Sequence, residues 1–162
     1  MRKLMIVAAV LSLPACGSGG NPNPPTTLPP VASFAITVTP NPIVAQDCTP
    51  AVCSSTPGAQ FFVAAGITVT ESGGVGGTVN FITLVLRNAA NSEVGTLNFS
   101  AADIIGLVGT NRVNGRASLI IRGIGAAYRM SDGGRQGSLA FTVGITDDRG
   151  NPQNQSVSVP VV

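Results

Sequence analysis

The run Leu139-Ala140-Phe141-Thr142-Val143-Gly144-Ile145-Thr146, the connection Asp147-Asp148-Arg149-Gly150-Asn151-Pro152 and the run Ser156-Val157-Ser158-Val159-Pro160-Val161 decide the fold. Successive side chains of an extended chain point to opposite faces, so Leu139, Phe141, Val143 and Ile145 share one face. Val157, Val159 and Val161 repeat the pattern beyond the connection, with Ser156 and Ser158 turned to water. Two alternating runs joined by a turn of Asp, Gly and Asn predict a β-hairpin.

Working back toward the N-terminus, the same period recurs. Phe34, Ile36 and Val38 alternate with Ala35, Thr37 and Thr39 until Pro40-Asn41-Pro42 stops the run. Phe61, Val63, Ala65, Ile67 and Val69 alternate likewise, and Ser72-Gly73-Gly74-Val75-Gly76-Gly77 turns the chain into Thr78 to Arg87. That strand is apolar on both faces around Phe81-Ile82-Thr83-Leu84-Val85-Leu86, which predicts a central strand. Asn88 to Ser92 reads as a turn and Glu93 to Phe99 as a shorter strand with Leu97 and Phe99 inward. Ser100-Ala101-Ala102-Asp103 has capping-box spacing and predicts one turn of helix ahead of Ile104, Ile105, Leu107 and Val108. After the turn at Asn114-Gly115, Ala117 to Ile124 predicts a strand continuing to Tyr128 through a glycine bulge, and Ser131-Asp132-Gly133-Gly134 a further turn. The six Phe read as core.

Seven such strands in about 130 residues, 31–162, with no helix long enough to cross between parallel strands, predict an all-β antiparallel sandwich. The closing hairpin is similar to the last hairpin of bacterial immunoglobulin-like or fibronectin type III-like domains. The resemblance implies an immunoglobulin-like β-sandwich of about seven strands. The Trp and the paired core cysteines of antibody domains are absent, and a jelly roll or another sandwich also fits the pattern.

Upstream of the domain the composition changes. Gly17 to Pro30 has no apolar periodicity and reads as a tether on residues 16–30, flexible in its glycine half and stiffer, polyproline-like, in its proline half. A docking site for a proline-binding domain is the alternative use of those prolines. Arg2 and Lys3, the apolar run Leu4 to Leu13 and the small residue Ala15 form a secretory signal over residues 1–15. The run is shorter than the ~18 residues of a spanning helix.

Leu13-Pro14-Ala15-Cys16 resembles the lipobox of bacterial lipoproteins, with Pro14 where the family usually has Ala, Ser, Thr or Val. The resemblance implies a diacylated Cys16 as mature N-terminus and attachment to a lipid membrane through it. Gly17 after the cysteine, in place of Asp, implies the outer membrane in a Gram-negative cell; a Gram-positive cell would carry the domain on the outer face of its membrane. The alternative is an ordinary signal peptide with a cysteine by chance near its cut site.

Export also bears on the other two cysteines. Cys48 and Cys53 lie in the turn-rich stretch Gln46 to Ser54, in an oxidising compartment, and Pro50 bends the four intervening residues enough for a disulfide. The spacing is wrong for a Cys-x-x-Cys redox pair.

Charge and composition narrow the function. Arg2 and Lys3 leave with the signal, so the mature part carries seven positive and seven negative side chains. Arg112, Arg116, Arg122, Arg129 and Arg135 are interleaved with Gly and apolar residues, so nucleic-acid binding lacks both charge excess and stacking residues. The chain has no His, which removes the usual Ser-His-Asp and Cys-His relays and the common zinc sites. Carboxylates remain: Glu71, Glu93, Asp103, Asp132, Asp147 and Asp148 offer a glycosidase-like acid and base in principle. All but Asp103 fall beside turns or strand ends, where solvated carboxylates are expected.

Asp147 to Asn151 offers oxygen ligands for calcium, but without a complete set, and turn chemistry explains it more simply. No catalytic residue, metal or cofactor is assigned. The expectation is a membrane-anchored envelope lipoprotein presenting a structural or protein-interaction module to an envelope protein partner. A small-ligand or carbohydrate binder is the alternative and a carboxylate hydrolase a third. There is no Trp and a single Tyr128 to build a sugar platform.

Overall fold

The computed structural model describes residues 29–131 and 133–162. The signal, Cys16 and all but the last two residues of the tether, like Asp132, lie outside the described residues.

The alternating runs form strands: β1 (Phe34–Thr39), β2 (Gln46–Asp47), β3 (Phe61–Glu71), β4 (Gly77–Asn88), β5 (Glu93–Ser100), β6 (Arg112–Val113), β7 (Ser118–Tyr128), β8 (Gly137–Asp147) and β9 (Pro152–Val161). Among the described residues two helices interrupt them, α1 (Pro50–Cys53) and α2 (Ala101–Val108). Seven strands are six residues or longer, as the sequence predicts; β2 and β6 are two-residue additions.

All strand pairs are antiparallel. In the smaller sheet β3 is central, with β7 on one side and both β1 and β2 on the other. In the larger sheet β4 is central, between β8 on one side and β5 and β6 on the other, and β9 lies outside β8. The two sheets face each other across a shared apolar core, an all-β immunoglobulin-like sandwich. Val63, Ile67, Val69, Ile121 and Ile124 of the smaller sheet are buried with Ile82, Leu84, Phe141, Val143 and Ile145 of the larger. Among the described residues no helix is long and apolar enough to cross a membrane.

One lateral side of the sandwich is closed by the chain itself. Beyond Pro42 the chain leaves the smaller sheet and runs beside β9 in parallel, through an isolated bridge between Ile43 and Val161. Ile43 N–H donates to Pro160 O (2.9 Å), Val162 N–H to Ile43 O (2.9 Å) and Ala45 N–H to Val162 O (2.8 Å). Ile43 and Ala45 are buried and Val44, between them, is exposed. The sequence reading ended the strand at the prolines and missed this continuation, because three residues are too few to show a period.

Several expectations are corrected. α2 has two turns, not one. Its capping box is present, with Asp103 N–H donating to Ser100 Oγ (3.3 Å) and Ser100 N–H to Asp103 Oδ2 (2.8 Å). The helix runs on to Gly109, whose left-handed φ of +80° lets its N–H cap Ile105 O at 2.7 Å. β9 begins at Pro152, four residues before Ser156, because an edge strand needs only backbone pairing on β8 to extend through Gln153, Asn154 and Gln155. The bulge in β7 is as predicted: the pairing shifts between Ala65/Ile124 and Ile67/Ile121, with Gly123 at φ +77°.

Not all six Phe are core. β4 is central, but its outer face meets solvent, and a bulge between Val79 and Phe81 leaves Phe81 37% exposed on that face. Its ring lies over Gly144, where a methyl group would collide with it; Phe62, on the outer face of the other sheet, covers Gly125 in the same way.

Candidate functional site

The side opposite the Ile43 seam is not sealed. There the edges are β5 in the larger sheet and β7 in the smaller, each bonded to one long strand only. α2 fills one end of the gap between them with Ile104, which is fully buried. The other end is an open groove of about 270 Å³. Its floor is Leu84, Leu86 and Leu139 and its lips are residues 94–97 of β5 and residues 126–129 at the end of β7. Thr56, from the loop following the Cys48–Cys53 pair, stands at its mouth.

Local sequence explains the opening. Gly95 on one lip, opposite the buried Leu86, and Ala126 on the other, opposite the buried Val63, are too small to bridge the gap. Leu97, predicted inward, does face the floor, since it pairs opposite the buried Leu84. It is nevertheless 41% exposed, because β5 overhangs the narrower sheet and no strand lies across from it.

The β7 lip also offers backbone. Glu71 N–H donates to Ala117 O and Gln60 N–H to Tyr128 O, both 2.9 Å, which fixes the residues of β7 that face β3. A strand turns the backbone groups of successive residues to opposite sides. Gly125 and Ala127 therefore point their N–H and C=O to the free edge, with no backbone partner among the described residues.

Charge at this lip is positive. Arg129 is exposed and makes no ion pair among the described residues, whereas Arg112 pairs with Asp148 (2.6 Å) and Arg135 with Asp47 (3.0 Å). Arg135 also stands over the Phe61 ring at 5.1 Å, and its carbonyl accepts from Tyr128 Oη at 2.8 Å. Burial raises the Tyr128 phenol above its ordinary range, against the nearby Arg135 charge, so Tyr128 stays neutral in the β7 lip with its hydroxyl donating to the Arg135 carbonyl.

The six carboxylates that sequence singled out are not brought together into an acid–base pair. Glu71 is the largest departure: it is not solvated but 1% exposed. Its Oε1 accepts from Ser33 N–H (3.1 Å) and Gly73 N–H (2.7 Å), and its Oε2 from Gly74 N–H (2.9 Å) and Arg116 N–H (2.7 Å). Burial alone would raise its pKa; the four backbone donors outweigh that and hold it at about 2. This carboxylate ties three loops at one end of the sandwich and is structural.

Asp103 is spent on its helix cap, which lowers its pKa through Ser100. Asp147 takes Asn151 Nδ2 and the N–H groups of Asn151 and Arg149, and its pKa is lowered mainly by the Asn151 side chain. Its oxygens serve the turn, as the simpler reading expects. Asp148 holds Arg112 through both oxygens, Glu93 accepts from Thr96 Oγ1 (2.7 Å), and Asp132 lies outside the described residues. Among the described residues no three His, Cys, Asp or Glu side chains converge as metal ligands.

Cys48 and Cys53 have their sulfurs at bonding distance, 1.98 Å, with α-carbons 5.6 Å apart, inside the range expected for a disulfide. The short helix α1 between them, started by Pro50, brings them round.

The groove itself was not legible in sequence, which gives strands but not which two edges lie side by side. The small residues Gly123, Gly125, Ala126 and Ala127 around the buried Ile124 were the available signal.

No family model matches the chain, and no curated protein does. Among solved structures it is similar to a Northeast Structural Genomics Consortium target, SoR45, with a TM-score of 0.57 and 12% identity over 79% of this chain and 84% of that one. It is also similar to a Bordetella pertussis protein provisionally named ApaA, with a TM-score of 0.52 and 15% identity over 79% of this chain and 89% of the other. At these identities the likeness establishes the all-β sandwich and nothing further.

Proposed function

We propose that the chain is a lipid-anchored module of the cell envelope whose sandwich binds a partner protein. One observation carries the interaction reading: one lateral side is sealed by the chain's own Ile43 segment and the other is left open between two strand edges. Folded proteins normally cover or blunt such edges. The groove, about 270 Å³, is at the low end of common small-molecule pockets and runs along a strand edge, which favours a few inserted side chains over a cofactor-sized ligand. The lipobox-like Leu13-Pro14-Ala15-Cys16 supports the anchor, and anchoring to a shared surface makes weak contacts effective.

Photo-crosslinking in the producing cell tests it. A photoreactive residue at Leu97 is expected to capture a discrete envelope protein, and one at Ser158, on the far outer face, is not. Equal labelling at both positions, or at neither, would remove the interaction reading.

A second reading, binding of a neutral glycan, is favoured by one feature. The outer face of the larger sheet displays Phe81 among Thr83, Asn98, Thr142 and Ser156, with no charged residue in 78–85, 96–100, 138–146 or 152–160. Glycan-array binding lost on Phe81→Ala would support it over the first reading.

A further inference from the structure

We infer that the groove takes an extended strand of the partner, added to the free edge of β7, with aliphatic side chains at alternate positions and a carboxylate beside Arg129. This rests on the protein-interaction reading above and names the occupant of that site.

The molecule carries its own template for such an occupant. On the closed side the gap between the sheets is filled by an extended segment, Ile43-Val44-Ala45, which bonds to the edge of β9 and alternates buried, exposed, buried. The open side has the matching parts and lacks only the segment. Gly125 and Ala127 present N–H and C=O groups to the free edge, as β9 does to Ile43 and Ala45. Leu84, Leu86, Val94, Leu97 and Leu139 form an apolar slot beside that edge, as the core does beneath Ile43.

Strand addition draws affinity from main-chain hydrogen bonds and selectivity from pockets for alternate side chains, and the groove offers both. α2 closes the slot at one end, so the added strand is short and enters from the Thr56 and Arg129 end. There the exposed guanidinium of Arg129, which makes no ion pair among the described residues, selects an acidic flank. The tether is a poor occupant, because Gly17 to Pro30 contains one leucine among prolines and glycines.

The test uses the full-length protein purified from cells and a fluorescein-labelled nine-residue peptide alternating Ile and Thr with Asp at one end. Its controls are the same composition scrambled to break the alternation, and a version with Lys in place of Asp. Anisotropy is expected to show saturable binding of the alternating peptide, at least tenfold weaker for the scramble and severalfold weaker for the Lys version. Amide exchange at Gly125 and Ala127 is expected to slow when the peptide binds.

Ala127→Pro deletes the outward N–H without touching a bond to β3, and should weaken binding tenfold or more. Leu97→Arg, at an already exposed position, should do the same should the proline variant fold poorly. Arg129→Glu should reverse the preference between the Asp and Lys peptides. Binding indifferent to Ala127→Pro, Leu97→Arg and the scramble overturns the proposal, as does a β7-edge homodimer in sedimentation that the peptide does not dissociate. A partner crosslinked at Leu97 whose capture survives Ala127→Pro and Arg129→Glu would leave the interaction reading standing and refute the strand; no partner at all would refute the reading itself.

Discussion

Replacing Glu71 by Gln is the sharpest test of how the sandwich is held at the end where Ser33 leads into β1. The side chain keeps its shape but exchanges one acceptor oxygen for an NH₂ group. Four N–H groups, of Ser33, Gly73, Gly74 and Arg116, converge on the carboxylate, two on each oxygen. In the variant two of them face a donor and the other two lose a charged acceptor. Leaving two shielded donors unmet costs ~1–3 kcal/mol each.

Linkage gives an independent figure. A carboxyl whose pKa falls from 4.5 to about 2 on folding contributes roughly 3 kcal/mol at neutral pH. The group lies under loop backbone instead of in the core, so solvent screening brings this to about 2 kcal/mol. Together these predict a loss of about 3 kcal/mol on Glu71→Gln, read from urea unfolding at pH 7. The folded pKa is depressed, so the stabilisation is complete above about pH 4.5 and is lost as pH falls toward about 2. The stability difference between wild type and variant should therefore shrink steadily across that window, a comparison in which Asp103 and Asp147 cancel. A cost below about 0.5 kcal/mol at pH 7, or a difference that stays constant from pH 5 to 2, would refute the assignment of Glu71 as a structural anchor.

Three further outcomes are expected. Phe141 is fully buried between the sheets, and Phe141→Ala should cost ~3–5 kcal/mol by chemical denaturation; a near-neutral result would mean the core is misassigned. The double substitution Cys48→Ser with Cys53→Ser should cost only about 2 kcal/mol, because the closed loop is short, and thiol counting on the unfolded, unreduced protein should find none from this pair. Cys16→Ser should release the protein from the detergent phase, and the wild-type mass should exceed the mature polypeptide by two or three fatty chains, since one chain holds a protein only marginally.

The sequence by itself determined the strands, the class and the local devices. Two-residue periodicity is a property of the extended backbone and is written directly into Phe61 to Val69 and Leu139 to Ile145, so burial of those side chains follows from spacing alone. The Ser100 and Asp103 cap and the Asp147 turn are likewise local, made within four residues. The limit appears where partners lie far apart in the chain. Glu71 reads as a solvated strand end, and only the fold brings Ser33 and Arg116 to it, from 38 residues before and 45 after. Leu97 reads as inward, which holds for its direction, but its exposure depends on the width of the opposite sheet. The groove between β5 and β7 is decided only in three dimensions, because it is a gap between two edges with α2 and β6 between them in sequence, and absence of a covering strand leaves no residue to read.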